Sequence, residues 1–282
     1  MNRPVWRLML DPAADGAWNM AVDEALLIGG AGGGGPTLRL YTWRPHTLSL
    51  GAHQRGGGKV DRARLARDGY GVVRRPTGGR AILHAEELTY SVTAPAPSGG
   101  TLAAYRWLAG GLKAGLAAVG IEVELEKTRR PRSAGLETRN PCFTAAGRYE
   151  LVAGGRKVVG SAQRRRGGWL MQHGSILLGP EHLRLPWYLD SPDPRAEEAA
   201  LRWATVDCST LLGRSIDSAE LAPPFAEGFA RSLGVVLETR GLLPVEERRA
   251  RDLRERFADP EWTFLGRRRT GEVPGQEDTI DR

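Results

Sequence analysis

Two hydrophobic periods alternate along this chain: short apolar or alternating runs of strand type, and longer runs that repeat every three to four residues as helices do. Residues 5–10 predict a strand, and residues 17–28 a helix with Trp18, Ala21, Val22, Ala25 and Leu26 on one face. The glycine run 29–36 then reads as a flexible connector. Residues 38–43 and 47–52 predict strands separated by Arg44-Pro45-His46, and 61–68 a short helix closed by Gly69. Next comes the stretch the pattern singles out, residues 74–91. A β-branched run ends at Arg74, Leu88-Thr-Tyr-Ser-Val alternates as a half-buried strand, and Gly78-Gly79 lies between them among arginines. Residues 94–100 are a linker, and Thr101 caps a helix to 119 with Leu108, Leu112 and Leu116 at core spacing. Val123 and Leu125 mark a strand, and 127–140 a polar, basic, mobile loop. Residues 149–160 predict a hairpin turning at 153–155, and 169–178 another strand. From 181 onward the pattern is helical, clearest over 206–212, 219–233 and 245–257, and 266–282 reads as a disordered tail.

Composition narrows the function classes. Forty Lys and Arg against thirty-three Asp and Glu leave a net charge of +7, an excess suited to acidic partners. The arginines are scattered, and no zinc-finger, RNP or aromatic-basic repeat accompanies them, so nucleic-acid binding is not expected. Two cysteines, Cys142 and Cys208, suit a reducing compartment. No run approaches the roughly 20 apolar residues of a membrane span, and no signal peptide is evident. A cytoplasmic protein is expected.

Standard catalytic signatures are absent: there is no Gly-x-Ser-x-Gly, His-Glu-x-x-His or Cys-x-x-Cys. The glycine runs lack the Lys-Ser/Thr of a phosphate loop, and His46, His53, His84, His173 and His182 are too dispersed to mark a metal site. Gly78-Gly79 permits close backbone approach to an oxygen, and equally suits a tight hairpin with solvated charges. Cys142 follows the basic loop, with Arg148 and Lys157 nearby as cations that would favour a thiolate; position alone also suits an ordinary buried thiol. Lys157, opposite in phase to Val158, points toward a cleft or toward solvent. Cys208 reads as a core cysteine of a helix.

The ordered set Trp18-Asn-Met-Ala-Val-Asp-Glu-Ala, Arg39-Leu-Tyr-Thr-Trp-Arg-Pro, Arg74-Arg-Pro-Thr-Gly-Gly-Arg80, Glu87-Leu-Thr-Tyr-Ser, Pro141-Cys-Phe, Gly155-Arg-Lys-Val-Val-Gly-Ser-Ala-Gln and Gln172-His-Gly-Ser-Ile-Leu resembles the biotin/lipoate protein ligase superfamily. It is most similar to the cysteine-dependent octanoyltransferase branch acting on glycine cleavage system H protein. The resemblance implies an α+β fold, a mixed sheet flanked by helices, with residues 1–265 one catalytic domain and 181–265 its helical C-terminal part. It implies Cys142 as the acyl-accepting cysteine and Lys157 as the active-site lysine. It places Arg75, Thr77, Gly78, Gly79 and His84 around the acyl carbonyl, and Gly160 and Ser161 along the acyl tunnel. Octanoyl acyl carrier protein is the implied donor and H protein or another lipoyl domain the acceptor, with no cofactor or metal, in a monomer. Arg80 stands where lipoate ligases typically have a third glycine, favouring transferase over adenylating ligase. Ala85 stands where many members have aspartate, so the carboxylate that would orient His84 is not evident. The alternatives are an ATP-dependent lipoate ligase, an amidotransferase from H protein to E2 domains, and a non-catalytic carrier- or nucleic-acid-binding protein.

Overall fold

Eleven strands make two sheets in the computed structural model, which describes residues 3–54, 59–126 and 150–266. In chain order they are β1 (Val5–Leu10), β2 (Thr37–Tyr41), β3 (Thr47–Leu50), β4 (Gly71–Arg74), β5 (Ile82–His84), β6 (Glu87–Pro95), β7 (Glu124–Leu125), β8 (Leu151–Ala153), β9 (Arg156–Arg166), β10 (Trp169–Leu177) and β11 (Val236–Thr239). The large sheet runs β11-β1-β2-β6-β10-β9-β8-β7 and the small one β4-β3-β5. β1 is parallel to both of its neighbours, whereas pairing from β2 through β7 is antiparallel, so the sheet is mixed as expected.

The helices are α1 (Gly16–Gly29), α2 (Arg62–Arg67), α3 (Gly100–Ala117), α4 (Pro194–Ala204), α5 (Cys208–Leu212), α6 (Ser218–Leu233) and α7 (Pro244–Ala258). One face of the large sheet packs Leu88, Tyr90, Val92, Leu170 and Ile176 against Leu108, Leu112 and Leu116 of α3 and Phe225 and Phe229 of α6. The helices approach closely because a Cβ on Gly111 would lie 2.6 Å from the Phe229 ring, and one on Gly115 2.5 Å from that of Phe225. The opposite face is covered by α1, with α7 behind it, and by the small sheet.

Several expectations change in detail. The run 29–36 is no free connector: Gly30–Gly34 continues α1 as a π-helical turn, and a Cβ on Gly30 would lie 2.4 Å from the Trp169 ring. Thr101 does not cap α3; Gly99, with φ +93°, precedes the helix instead. Residues 206 and 207 stand outside α5, because the Asp207 carboxylate accepts from Thr210 N at 2.9 Å and Val206 N donates to Lys157 O at 3.0 Å. The C-terminal part is mostly helical but contributes β11, which extends the large sheet beside β1. The expected loop 127–140 and tail beyond Gly266 fall outside the described residues.

Candidate active site

β6 explains how a buried polar site forms on a sheet. Its odd residues Glu87, Thr89, Ser91 and Thr93 alternate with apolar ones, and a half-buried strand would turn them to water. Every residue from 87 to 94 is instead buried. Cross-strand partners share a face, so His173 and Ser175 of β10 join this polar row through their pairing with Ser91 and Thr89. Burying such groups is costly unless they are hydrogen-bonded; Glu87 and Thr89 are, whereas the Ser91 and Thr93 hydroxyls find no partner among the described residues.

Two histidine–carboxylate pairs organise it. His84 Nδ1 lies 2.8 Å from Glu87 Oε1 and its Nε2 2.8 Å from Ser49 Oγ, while the ring stacks on Trp43 with centroids 4.0 Å apart. The Glu87 carboxylate also accepts the hydroxyls of Thr89 and Ser175. His84 therefore has its carboxylate orienter, three residues along rather than at Ala85. Burial disfavours the Glu87 anion, but His84 and the two hydroxyls outweigh it and hold the group below the usual carboxylate range. In the second pair, His173 Nδ1 is 3.0 Å from Asp23 Oδ2 and Nε2 is 2.7 Å from Thr77 Oγ1. Asp23 is fixed by Arg39 at 2.8 Å and by the Tyr41 hydroxyl at 2.9 Å. Burial pushes His173 down, favouring neutral imidazole, whereas Asp23 is held low by His173 and Arg39 against the opposing effect of burial.

The glycine loop joins the two pairs. Arg75 donates from Nη2 to Gly78 O and Arg80 O, both at 2.8 Å, and from Nη1 to Ser49 Oγ at 3.0 Å, so it braces the loop from within. Arg74 likewise donates to Gly51 O at 2.7 Å, Gln54 O at 2.9 Å and Thr263 O at 3.0 Å. The two arginines do not read as the solvated charges of a decorated hairpin. Gly79 has φ +94°, and a Cβ there would lie 2.7 Å from Arg75 Nη2; a Cβ on Gly78 would meet only open space. That openness suits a loop whose backbone faces a substrate.

Lys157 and Ser161 lie on the other side of the sheet by strand parity, sharing the face of Tyr90, Gln172 and Gly174. Lys157 is 4% exposed and ion-paired with the Glu150 carboxylate. Ser161 Oγ is 2.6 Å from Tyr90 Oη, which also accepts from Gln172 at 2.9 Å. A Cβ on Gly174 would lie 2.3 Å from Gly160 O and 2.6 Å from Tyr90 Cε1, so β10 requires glycine at this position. Burial raises the Tyr105 phenol of α3, with Tyr90 and Glu150 adding to the rise and Arg75 opposing it. Cys142 lies outside the described residues, as do Pro141 and Phe143.

The sequence singled out Arg75, Thr77, Gly78, Gly79, His84, Lys157, Gly160 and Ser161 as candidates, and did not single out the groups the structure places against several of them: Asp23, Ser49, Glu87, Glu150 and His173. Asp23, Glu87 and His173 stand within the stretches that carry the family resemblance. Their roles required knowing that the polar alternation of β6 faces inward. Cys208 is fully buried, and burial next to Asp207 pushes its thiol up to about 12, in line with an inert core cysteine.

The comparisons with known proteins bear on this geometry. A model of the lipoyl protein ligase A/B catalytic domain matches residues 15–230. Octanoyltransferase LipM of Symbiobacterium thermophilum is 43% identical over 260 residues, covering 89% of this chain and 94% of its own length. LipM of Kyrpidia tusciae is 39% identical over 270 residues, covering 92% and 98%. Among solved structures, lipoate-protein ligase A bound with ATP superposes with a TM-score of 0.76 at 22% identity, over 93% of this chain and 98% of that one. At that identity the likeness bears on the fold alone. With the family model spanning most of its length and full-length relatives at these identities, the chain belongs to the lipoyl protein ligase A/B catalytic-domain family.

Proposed function

We propose that the protein moves an octanoyl group from octanoyl acyl carrier protein, through a thioester on Cys142, to a lysine of a lipoyl domain. The acceptor is glycine cleavage system H protein or another lipoyl domain. The observation that carries the reading is the likeness to LipM octanoyltransferases over 89% and 92% of the chain.

In the first step the Cys142 thiolate attacks the donor thioester carbon, and the adduct expels the carrier thiolate, which takes up a proton. One thioester replaces another, so no nucleotide is consumed. In the second, the unprotonated acceptor amine attacks the octanoyl-enzyme, Cys142 leaves as a thiolate, and the amine gives up its proton as the amide forms. Lys157 and the backbone N–H groups of Gly78 and Gly79 are assigned to the developing oxyanion. Lys157's burial beside Glu150 supports a fixed cation there. His84 and Thr77, held by Glu87 and His173, frame the acyl carbonyl, while Gly160 and Ser161 line the chain tunnel. Residues 1–265 are read as one catalytic domain, a reading supported by β11 of the C-terminal part adding to the sheet, and the protein is read as a cytoplasmic monomer. Among the described residues no helix is long and apolar enough to cross a membrane.

An ATP-dependent ligase shares the fold, as the likeness to lipoate-protein ligase A makes plain. Purified enzyme, octanoyl carrier protein and an unmodified lipoyl domain are therefore to be combined without nucleotide. Octanoylation of the domain is expected. Transfer that occurs only from free octanoate with ATP would replace this reading by the ligase.

A further inference from the structure

Trp203 is 84% exposed near the C-terminal end of α4, an unusual position for a large aromatic side chain with no structural task. Together with Arg156 and Arg202 it lines a depression of about 360 Å³. Across Glu198, which accepts from Arg202 at 2.9 Å and from the Trp187 indole at 2.8 Å, a second depression of similar volume is lined by Arg64, Arg67, Arg184 and Trp187 with Asp68 and Glu198, so that arginines outnumber carboxylates over the two. The surface combines aromatic and arginine side chains, the residue types enriched at protein interfaces, and its charge calls for an acidic partner.

Its position in the fold selects which partner. Trp203 stands two residues, at most about 7 Å of chain, before Thr205. Thr205 forms a parallel bridge with Lys157, and Val206 N donates to Lys157 O at 3.0 Å. Arg156 immediately precedes Lys157 on β9. A surface this close to the lysine fits a partner whose reacting group has a short reach. An acceptor lysine reaches only the length of its own stem, whereas a carrier protein's acyl thioester rides on a longer flexible arm. Resting on the transferase reading above, we infer that the Arg156–Arg202–Trp203 surface docks the acidic lipoyl domain and delivers its acceptor lysine toward Lys157.

The test separates docking from chemistry. Binding of an unmodified lipoyl domain is titrated without donor, and acylation of the enzyme by octanoyl carrier protein is timed separately. Trp203→Ala is expected to weaken lipoyl-domain binding about 30-fold, the loss typical of truncating an interface hot spot. Arg156→Glu is expected to weaken it by a factor that shrinks as salt rises. Both variants should be acylated at the wild-type rate, which also shows that they are folded. Unchanged lipoyl-domain binding in both variants overturns the inference, as does a selective loss of acylation by the carrier protein, which would assign the surface to the donor. Failure of the wild-type enzyme to be acylated at all would instead count against the transferase reading, while the binding titration still decides the docking surface.

Discussion

Glu87 and Asp23 are buried carboxylates held below their ordinary values, each by a histidine and further donors that outweigh the cost of burial. A carboxylate lowered on folding contributes stability that is complete above its unfolded value, near 4, and lost as pH falls through its lower folded value. His173 acts in the same direction. Burial lowers it, so below the ordinary histidine value of 6.5 the unfolded chain binds a proton that the folded protein resists. The urea midpoint is therefore expected to fall from about pH 7 to about pH 3, through His173 first and through the two carboxylates below about pH 4, where Glu87→Gln should flatten the limb whatever its absolute stability. A midpoint independent of pH over that range would contradict the assigned network. At Lys157, replacement by alanine is expected to slow single-turnover octanoyl transfer by about 100-fold or more, the loss associated with removing one oxyanion donor. Its circular dichroism should stay native. Cys208→Ser should keep full activity, since that thiol is buried and its proton is tightly held.

The elements that carry the site depend on close backbone approach. A Cβ on Gly51 would lie 1.9 Å from Gly79 O, and a backbone oxygen at the apex of a braced loop cannot move aside as a flexible side chain does. Gly51→Ala is therefore expected to lower both Tm and transfer rate, with a stability loss of about 1–3 kcal/mol from overpacking. An alanine with wild-type kinetics there would show that the loop is not fixed by this contact. Much at this scale was legible in the sequence. The apolar face of α1 follows from Ala21, Val22, Ala25 and Leu26, and the β8–β9 hairpin turns at Gly154-Gly155 as its glycines demand. What stayed hidden has a physical cause. Alternation on β6 gives the period of a strand but not which face meets water, so the buried row of Glu87, Thr89, Ser91 and Thr93 looked solvent-facing. β11 is only four residues long between helical patterns, and its identity as a strand is set by β1 beside it.

At the scale of the molecule, the large sheet divides the labour. One face, under α1 and the small sheet, anchors the glycine loop through two histidine–carboxylate pairs. The other, under α3, carries Lys157 with Glu150 and the Tyr90–Ser161 contact. The net charge of +7 acts over the whole surface and suits association with the acidic partners of the proposed reaction. The family resemblance made this arrangement legible by naming positions; the structure supplied what holds them. The central claim is that Cys142 receives the acyl group, and intact-mass analysis of the enzyme after incubation with octanoyl carrier protein, without ATP or acceptor, tests it most directly. One added octanoyl group, mapped by peptide analysis to Cys142 and missing from Cys142→Ala, is the predicted result. A Cys142→Ala enzyme that still transfers octanoyl groups to a lipoyl domain at the wild-type rate would contradict it.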